Sequence, residues 1–368
     1  MLMKFLYALF ALGLLSACST PPRPAPVDER VPTLPLPPPS DSRVTPPYLP
    51  PPPVAPPLAP AAGSLAARPQ VQAFIREMVA KYHFDGKQLY AAFSRAHAQP
   101  SIIDAMNRPA EAKPWYAYRE IFLTPKRVQG GAQFSRTYRA ALERAERIYG
   151  VPAEVIVAII GVETSYGGNT GKYKVLEALS TLAFDYPRRA DYFRKELEDY
   201  LLLTRAEGID PLSIKGSYAG AMGLGQFMPS SYLRYAVDFD GDGHRDLWNN
   251  PVDAIGSVAN YLSKNGWQRG EPVTLRVQVD GQPYRELISS KAQRPTRSVL
   301  SFRQQGIIIP AGVVNDAQKA ILLELQGGNS PEYWFGFDNF YVITRYNQSP
   351  LYAMAVYQLS QTIRDHAG

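Results

Sequence analysis

The sequence predicts a mainly α-helical protein of the α+β class, in which a small β subdomain is inserted late into a helical body. Three observations lead to this prediction. Between residues 68 and 264, apolar residues recur at the three- and four-residue spacing of amphipathic helices. From residue 266 to about 345, apolar and polar residues alternate instead, as they do in strands. From residue 349, helical spacing returns and closes the chain.

The first 17 residues have the pattern of a signal peptide. Lys4 precedes the apolar run FLYALFALGLL, which is shorter than the roughly 20 residues of a membrane span. The stretch from Leu15 to Cys18 resembles the bacterial lipobox, and Cys18 is the single cysteine of the chain. The resemblance implies cleavage and lipidation at Cys18, and Ser19 in place of Asp implies sorting to the outer membrane. An ordinary signal peptide with a chance cysteine is the alternative.

Residues 18–67 are predicted to form an extended tether. Residues 21–60 contain 18 of the 34 prolines of the chain, a composition that cannot form a packed core. At roughly 3.1 Å per residue, this stretch could reach on the order of 100 Å. We expect it to separate a lipid anchor from a folded domain with a distant target. A spacer of no particular length is the alternative.

The charge and composition exclude several classes of partner. The net charge of +6 suits an anionic partner, but it is spread along the chain without a Lys/Arg block. We therefore expect no nucleic acid as a partner. The four histidines do not have the spacing of a zinc site.

Residues 68–265 are predicted to form a series of helices. Pro152 suits the first turn of one of them, which leads to Glu163. The predicted helices lie in 68–84, 85–96, 114–123, 130–149, 152–165, 174–184, 188–206, 229–236 and 251–264.

Residues 266–345 are predicted to form the β subdomain. The stretch EPVTLRVQVDGQPY is interpreted as a hairpin that turns at Asp280-Gly281. The stretches GIIIP, KAILLELQ and EYWFGFDNFYVITRY extend the β-rich segment to about residue 345. Residues 346–368 then contain a final helix, SPLYAMAVYQLSQTIRD.

Glu163 is the acid that the pattern singles out. On a helix it shares the apolar face of Val155, Ile156, Ile159 and Ile160. Burial raises the pKa of a carboxyl, and a carboxyl that stays protonated near neutral pH can act as a general acid. Gly167 and Gly168 are expected to end this helix and leave backbone near the acid, which would let a ligand approach. A structural Glu at a frayed helix end is the alternative, with the glycines as a simple cap.

Four stretches together resemble the B family of membrane-bound lytic murein transglycosylases. They are GVETSYGGNTGKYKVLEALSTLAFDYPRRADYF, KGSYAGAMGLGQFMPSSY, NPVDAIGSVANYL and ITRYN, within a match over roughly residues 70–365. The resemblance implies a lysozyme-like catalytic core. It also implies non-hydrolytic cleavage of the MurNAc–GlcNAc bond of peptidoglycan, with a 1,6-anhydromuramyl product and Glu163 as the only acid and base. A non-catalytic peptidoglycan-binding lipoprotein and a muramidase that hydrolyses the same bond are the alternatives.

The same resemblance implies which residues bind the glycan. Ser217 and Gln226 would lie near the acid, within a glycine-rich stretch that admits close contacts. The other residues that carry over to the groove are Tyr118, Arg188, Arg189, Tyr192, Met222, Phe227, Tyr261, Tyr346, Asn347 and Tyr352. Aromatic faces suit sugar rings, and arginines suit the carboxylates of stem peptides. Core packing or a solvated surface is the alternative for each. Proteins of cell-wall synthesis or division are further candidate partners.

The stretch DFDGDGHRDLWNNPVD, residues 238–253, resembles an EF-hand loop. Its spacing predicts Asp238, Asp240, Asp242 and the carbonyl of His244 as ligands of a structural Ca²⁺. Asn249 stands where such a loop has Glu, so the resemblance implies closure by Asp253, with one residue more than the usual spacing. A turn without an ion is the alternative.

Overall fold

The computed structural model describes residues 63–107, 113–281, 283–310 and 312–367. The predicted signal peptide, Cys18 and nearly all of the proline-rich tether lie outside the described residues. Among the described residues, no helix combines the length and apolarity that a membrane span requires.

Six helices come first. Several of them have the residues that favour a helix start. Proline occupies the first turn of α1, α3 and α5, while Asp85 and Thr124 cap α2 and α5 by accepting backbone amides. The six helices are α1 Pro69–Tyr82, α2 Gly86–Ser94, α3 Pro100–Met106, α4 Trp115–Phe122, α5 Pro125–Thr137 and α6 Arg139–Tyr149.

Residues 130–149 are helical as predicted, except at Tyr138. The chain forms two helices there, because Tyr138 adopts a non-helical backbone between α5 and α6. Its ring packs 4.6 Å from that of Phe134, at a distance typical of an aromatic pair. Helix α3 has no counterpart among the predictions.

The main helical core of the molecule is built around a buried central helix, α7. Residues 155–162 of α7 are all buried, and α5 and α6 pack against it together with two later helices, α11 and α14. The core helices are α7 Ala153–Thr164, α8 Val175–Asp185, α9 Ala190–Ala206, α10 Pro229–Tyr235 and α11 Pro251–Lys264. Two short strands, β1 Tyr173–Lys174 and β2 Lys215–Gly216, pair antiparallel beside them.

A five-stranded antiparallel sheet forms the late β subdomain. Its strands are β3 Thr274–Val279, β4 Arg297–Ser298, β5 Ile307–Ile308, β6 Lys319–Gln326 and β7 Pro331–Gly336, in the order β4-β6-β7-β3-β5. The sheet and α12, Val299–Arg303, enclose a small apolar core of their own. This core includes Val277, Phe302, Leu322 and Phe335.

Two predictions for the β subdomain are wrong. The turn at Asp280-Gly281 does not close a hairpin, because β3 pairs with β7 and β5, and a 3-10 helix follows from Pro283. The strand pattern also stops at Gly336, where the helix α13, Asp338–Tyr346, begins. In α13 the buried residues Phe340, Val342 and Ile343 face the helical core rather than a sheet neighbour.

The last helix, α14 Pro350–Ala367, returns to the core and packs against α4, α5, α7 and α13. The mainly α fold with a late β subdomain is therefore confirmed. The position of α14 matters for the site, because it brings Tyr352 beside the end of α7.

Candidate active site

Glu163 is the penultimate residue of α7, at the point where the buried helix reaches the surface. Its side chain is partly exposed, whereas Val162 and Thr164 on either side are buried. Tyr352, only 3% exposed, donates its hydroxyl to Glu163 Oε1 at 2.6 Å. The acid is therefore held in a defined position by a residue of another helix.

The surroundings of Glu163 favour its protonated form. The protein packed around the carboxyl removes hydration and raises its pKa, and the hydrogen bond from Tyr352 offsets part of this rise, so that the pKa is about 7. Among the described residues, no second carboxylate contributes to this shift. The arrangement supplies one carboxyl that can give and take a proton near neutral pH.

The turn after Glu163 differs from the prediction that the glycines end the helix. α7 ends at Thr164, and Ser165 and Tyr166 already adopt left-handed backbones, with φ of 51° and 62°. Arg127 stabilises this turn, since its guanidinium donates to the Gly161 carbonyl and to Ser165 Oγ, both at 2.9 Å. Tyr166 in return donates its hydroxyl to the Arg127 carbonyl at 2.8 Å. The left-handed turn is therefore stabilised by the polar contacts of Arg127, although the residues that form it are not glycines.

The glycine-rich loop, residues 216–227, lies next to this turn. Gln226 has a left-handed backbone, with φ of 49°. Its side-chain amide donates to the carbonyls of Thr170 and Gly223 at 3.1 and 3.0 Å. Ser217 is partly exposed, and its hydroxyl accepts the Ala221 amide at 3.1 Å. The backbone of Gly171 approaches the start of the loop so closely that only glycine fits: a Cβ on Gly171 would lie 2.0 Å from the Gly216 carbonyl. Both predicted polar residues therefore lie on one tightly folded loop.

Met222 and Phe227 lie on the buried side of this loop. They exchange backbone hydrogen bonds at 2.9 Å, and they are 1% and 3% exposed. The structure places them in the core, beneath the surface that a glycan could touch.

Two of the predicted tyrosines form one aromatic cluster with Phe227. The ring of Tyr261 lies 4.8 Å from that of Tyr346 and 5.8 Å from that of Phe227. Tyr346 donates its hydroxyl to the Gly225 carbonyl at 2.5 Å. Tyr235, which was not predicted, lies 4.8 Å from Tyr261. Its place at the end of a short helix offers no motif by which the sequence could have revealed it.

The remaining predicted residues lie around these groups. Tyr118 is buried, with its ring 5.3 Å from Phe122, and it is close enough to Tyr352 to affect its pKa. Asn347 is exposed directly after α13. Arg188 and Arg189 are exposed in a 3-10 turn before α9, and the Arg189 guanidinium lies 4.2 Å from the ring of Tyr192, which is 39% exposed.

The acidic loop, residues 238–253, brings three carboxylates together. Oxygens of Asp238, Asp240 and Asp253 all lie within 4.8 Å of one another. Asp253 is fully buried and joins the two ends of the loop, accepting the Phe239 amide at 2.7 Å and the Asp246 amide at 2.8 Å. Asn250 caps α11 and thereby places Asp253 in the first turn, so the extra residue in the sequence does not keep Asp253 from the cluster.

The side chains of the other two predicted metal residues, Asp242 and His244, are not part of this group of three. Asp242 is exposed, and its carboxylate accepts the His244 amide at 2.8 Å. The His244 side chain is exposed and lines a cavity of about 550 Å³ together with Thr170, Lys215 and Trp248. The three-carboxylate cluster is a hard-oxygen donor set with a net negative charge, and it fits a cation such as Ca²⁺.

A buried helix that ends in a single protonatable acid, next to a glycine-rich loop and an aromatic cluster, defines a glycan-cleaving enzyme of the lysozyme type. Comparisons with known proteins agree. Residues 66–361 match the family model described as "Transglycosylase SLT domain". The chain is 47% identical over 313 residues to membrane-bound lytic murein transglycosylase B of Escherichia coli strain K12, a match that covers 82% of this chain and 84% of the relative.

Solved structures agree in fold. The soluble lytic transglycosylase SltB1 of Pseudomonas aeruginosa is 51% identical, with a TM-score of 0.78, and the match covers 81% of this chain and 99% of that one. The Escherichia coli lytic transglycosylase Slt35, solved in complex with calcium, is 47% identical, with a TM-score of 0.76 and coverage of 83% and 96%.

The chain belongs to the transglycosylase SLT domain family and has its lysozyme-like fold. It is an enzyme, a lytic transglycosylase of peptidoglycan, so the alternative of a non-catalytic binding protein is excluded.

Proposed function

We propose that Glu163 acts as both the acid and the base in the cleavage of the MurNAc–GlcNAc bond. The observation that supports this assignment is its pKa of about 7 at the surface end of α7, with no second carboxylate in its electrostatic surroundings among the described residues. The protonated carboxyl donates its proton to the glycosidic oxygen, and the bond from that oxygen to C1 breaks. The GlcNAc end leaves with a hydroxyl group.

The second half of the reaction uses the same group in its ionised form. The N-acetyl oxygen of the sugar stabilises the positive charge that develops at C1, as in substrate-assisted glycosidases. The Glu163 carboxylate then accepts the proton of the C6 hydroxyl, and O6 forms a bond to C1. The product is a 1,6-anhydro sugar, no water is consumed, and Glu163 ends protonated for the next cycle.

The substitution Glu163→Gln tests this assignment. Gln keeps the shape and can still accept the Tyr352 hydroxyl hydrogen, but it has no proton to transfer. We expect anhydromuropeptide release from sacculi to fall by about 10²–10⁴-fold, the usual share of general acid catalysis. Mass spectrometry of the products measures this loss, and binding to sacculi by pull-down should stay near wild type. Substantial release by Glu163→Gln would contradict the assignment.

The same mass spectra separate the proposed reaction from hydrolysis by a muramidase. Each anhydro end is lighter by one water than the reducing end that hydrolysis leaves. A wild-type product mixture dominated by the heavier ends would replace the proposed mechanism with hydrolysis.

We propose that the glycan strand binds along Ser217, Gln226 and the partly exposed edge of the aromatic cluster. These groups lie on the glycine-rich loop or on α11 and α13 beside it. Arg188, Arg189 and Tyr192 lie at the start of α9, where exposed cations suit the carboxylates of stem peptides. Asn347 and Tyr118 complete the proposed set of contacts, while Met222 and Phe227 act by supporting the loop.

We further propose that the acidic loop binds a structural Ca²⁺ through Asp238, Asp240 and Asp253. The close carboxylate oxygens support this proposal, as does the calcium complex of the related Slt35. A bound Ca²⁺ would offset the mutual repulsion of these carboxylates and supplies no step of the chemistry. Asp242 and the His244 carbonyl are the candidates for additional ligands, since they lie in the same loop.

We also propose that the chain is a lipoprotein, anchored at Cys18 to the periplasmic face of the outer membrane. The lipobox-like stretch and the proline-rich segment support this proposal, and the relative from Escherichia coli is named membrane-bound. The folded part would then begin near residue 68 and reach peptidoglycan at the end of the tether. Proteins of cell-wall synthesis or division are the candidate partners in that location.

A further inference from the structure

Thr164, the residue after Glu163, joins three parts of the site through one buried hydroxyl. Its side chain is 1% exposed. The hydroxyl donates toward the Leu224 carbonyl at 2.9 Å, with the Ile160 carbonyl of its own helix at 3.1 Å. It also accepts the Gly167 amide at 3.0 Å. The end of α7, the turn after the acid and the glycine-rich loop therefore meet at this single oxygen.

The contact of Thr164 with Leu224 extends to the acidic loop. Leu224 is buried, and its amide donates to the Leu247 carbonyl at 2.8 Å. Leu247 lies in the second half of the acidic loop, next to Asp246, whose amide donates to the buried Asp253 carboxylate at 2.8 Å. A short series of hydrogen bonds thus runs from the acidic loop to the residue beside Glu163.

The backbone around Glu163 depends on such contacts. Ser165 and Tyr166 are consecutive residues with left-handed backbones, a conformation that is unfavourable for side chains other than glycine and persists only where the surroundings hold it. Arg127 holds the outer side of this turn through Ser165. On the inner side, the hydroxyl of Thr164 binds both the Gly167 amide and the loop opposite.

We propose that Thr164 is a positioning residue for the reaction, which fixes the carboxyl of Glu163 relative to the glycine-rich loop. The inference rests on the proposed role of Glu163 as the acid. Ser217 and Gln226, the proposed contacts of the sugar, lie on that loop. A shift between the end of α7 and the loop therefore changes the distance from the acid to the bond that it must protonate. A misplacement of about 1 Å can cost on the order of 100-fold in rate.

The proposal also predicts a change in the pH profile. Tyr352 from α14 and Tyr346 from α13 are the titratable groups of the described chain whose charge interacts with Glu163, and Arg127 from α5 binds the following turn. When the hydroxyl of Thr164 is lost, the end of α7 loosens and the carboxyl gains hydration. Hydration favours the ionised form and lowers the pKa of Glu163. The basic limb of the activity profile then moves to lower pH.

The test compares Thr164→Val, Thr164→Ser and a matched control in the full-length enzyme. Val keeps the shape without the hydroxyl, whereas Ser restores the hydroxyl. The control is Thr181→Val on α8. The hydroxyl of Thr181 is also buried, donates to a carbonyl one turn earlier, Glu177, at 2.7 Å and accepts an amide, that of Gln99, at 2.9 Å. Both Val variants therefore lose the same kind of buried hydrogen bonds.

We expect Thr164→Val to lower kcat about 10- to 100-fold with KM changed by less than about threefold, and to shift the basic limb to lower pH. Thr164→Ser should return kcat to within about threefold of wild type. Thr181→Val should lower the melting temperature by a similar amount and keep the wild-type kcat and pH profile.

The inference is overturned if Thr164→Val and Thr181→Val lose stability alike and both keep the wild-type kcat and pH profile. It is also overturned if Thr164→Ser is as slow as Thr164→Val. The Glu163→Gln variant, assayed beside them, separates the two ideas. If it stays active, the role of Glu163 is wrong; if it is inactive while Thr164→Val is fully active, only the role of Thr164 is wrong.

Discussion

At the scale of single residues, two opposing influences set the pKa of Glu163. Loss of hydration raises it and the hydrogen bond from Tyr352 lowers it, and together they leave it at about 7. The first influence is larger, so a substantial fraction of the enzyme holds a protonated acid at neutral pH. An exposed Glu, with a pKa near 4.3, would be ionised at that pH and could not donate a proton. Tyr352 therefore keeps the acid in place and limits how far its pKa rises.

The substitution Tyr352→Phe tests this balance. It removes a hydrogen bond that favours the carboxylate, so the pKa of Glu163 should rise further. In the proposed reaction the protonated acid acts first, so activity should be lost as pH rises through the pKa of Glu163. The basic limb of kcat/KM should consequently move to higher pH, by about one pH unit for one charge-assisted hydrogen bond. Initial rates of anhydromuropeptide release across pH 5 to about 9 measure the limb.

Tyr357→Phe is the control for this experiment, because Tyr357 lies on the same helix, whereas the hydroxyl that bonds Glu163 belongs to Tyr352. It should keep the wild-type profile. A basic limb that stays in place, or moves to lower pH, in Tyr352→Phe would contradict the balance described above. The opposite shifts expected for Tyr352→Phe and Thr164→Val also distinguish a lost donor from a loosened helix end.

At the scale of elements, the acidic loop connects α10 to α11, and its carboxylates accept backbone amides of the loop. Asp238 accepts the amides of Gly241, Asp242 and Gly243, and these contacts lower its pKa. Burial raises the pKa of Asp253, with the backbone amides of Phe239 and Asp246 acting in the opposite direction. A cation would stabilise the ionised form of both carboxyls and bind only the folded loop.

Ca²⁺ should therefore raise the melting temperature, and a chelator should lower it. Binding to the native state alone stabilises by about 2.7 kcal/mol at a hundredfold excess of ligand over Kd. Mg²⁺ should have a smaller effect, since it requires a tighter octahedral shell. Asp240→Ala should melt like the chelated wild type and gain nothing from Ca²⁺. Differential scanning calorimetry with Ca²⁺, Mg²⁺ and chelator measures each effect.

Asp280→Ala is the control, because Asp280 is an exposed acid next to glycine outside the loop. It should respond to Ca²⁺ as the wild type does. Asp253→Ala should lose the Ca²⁺ response and also melt lower without the ion, because the amides of Phe239 and Asp246 then lose their acceptor. Identical wild-type melting curves in Ca²⁺ and in chelator would exclude the metal site.

At the scale of the whole molecule, the proposed lipid anchor determines where the enzyme works. Cys18 is the single cysteine of the chain, so Cys18→Ser removes the only thiol that could carry a lipid. We expect the variant to incorporate no radiolabelled palmitate. It should also leave the membrane fraction, because it lacks the acyl chains that would anchor it. Its activity on isolated sacculi should stay unchanged. Palmitate incorporation equal to wild type would contradict the anchor.

The helices of the core could be predicted from the sequence, because a helix forms its hydrogen bonds within about four residues and its apolar face repeats at a fixed spacing. The same local signals led to Glu163 at the end of a buried helix and to the three alternating acids of the loop. Local signals failed where pairing is distant: the turn at Asp280-Gly281 looks like a hairpin, but β3 finds its partner in β7, more than 50 residues later along the chain.

The family, the candidate acid Glu163 and the order of helical and β segments could be derived from the sequence, because contiguous motifs and spacings carry this information. Only the folded structure shows which groups surround the candidate acid and hold it in place. Tyr352 lies 189 residues from Glu163, Leu224 lies 60 from Thr164, and Asp253 closes a loop that the sequence spacing left open. The physical reason is that pKa and position depend on which groups share a low-dielectric interior, and only the packing of distant segments sets that environment.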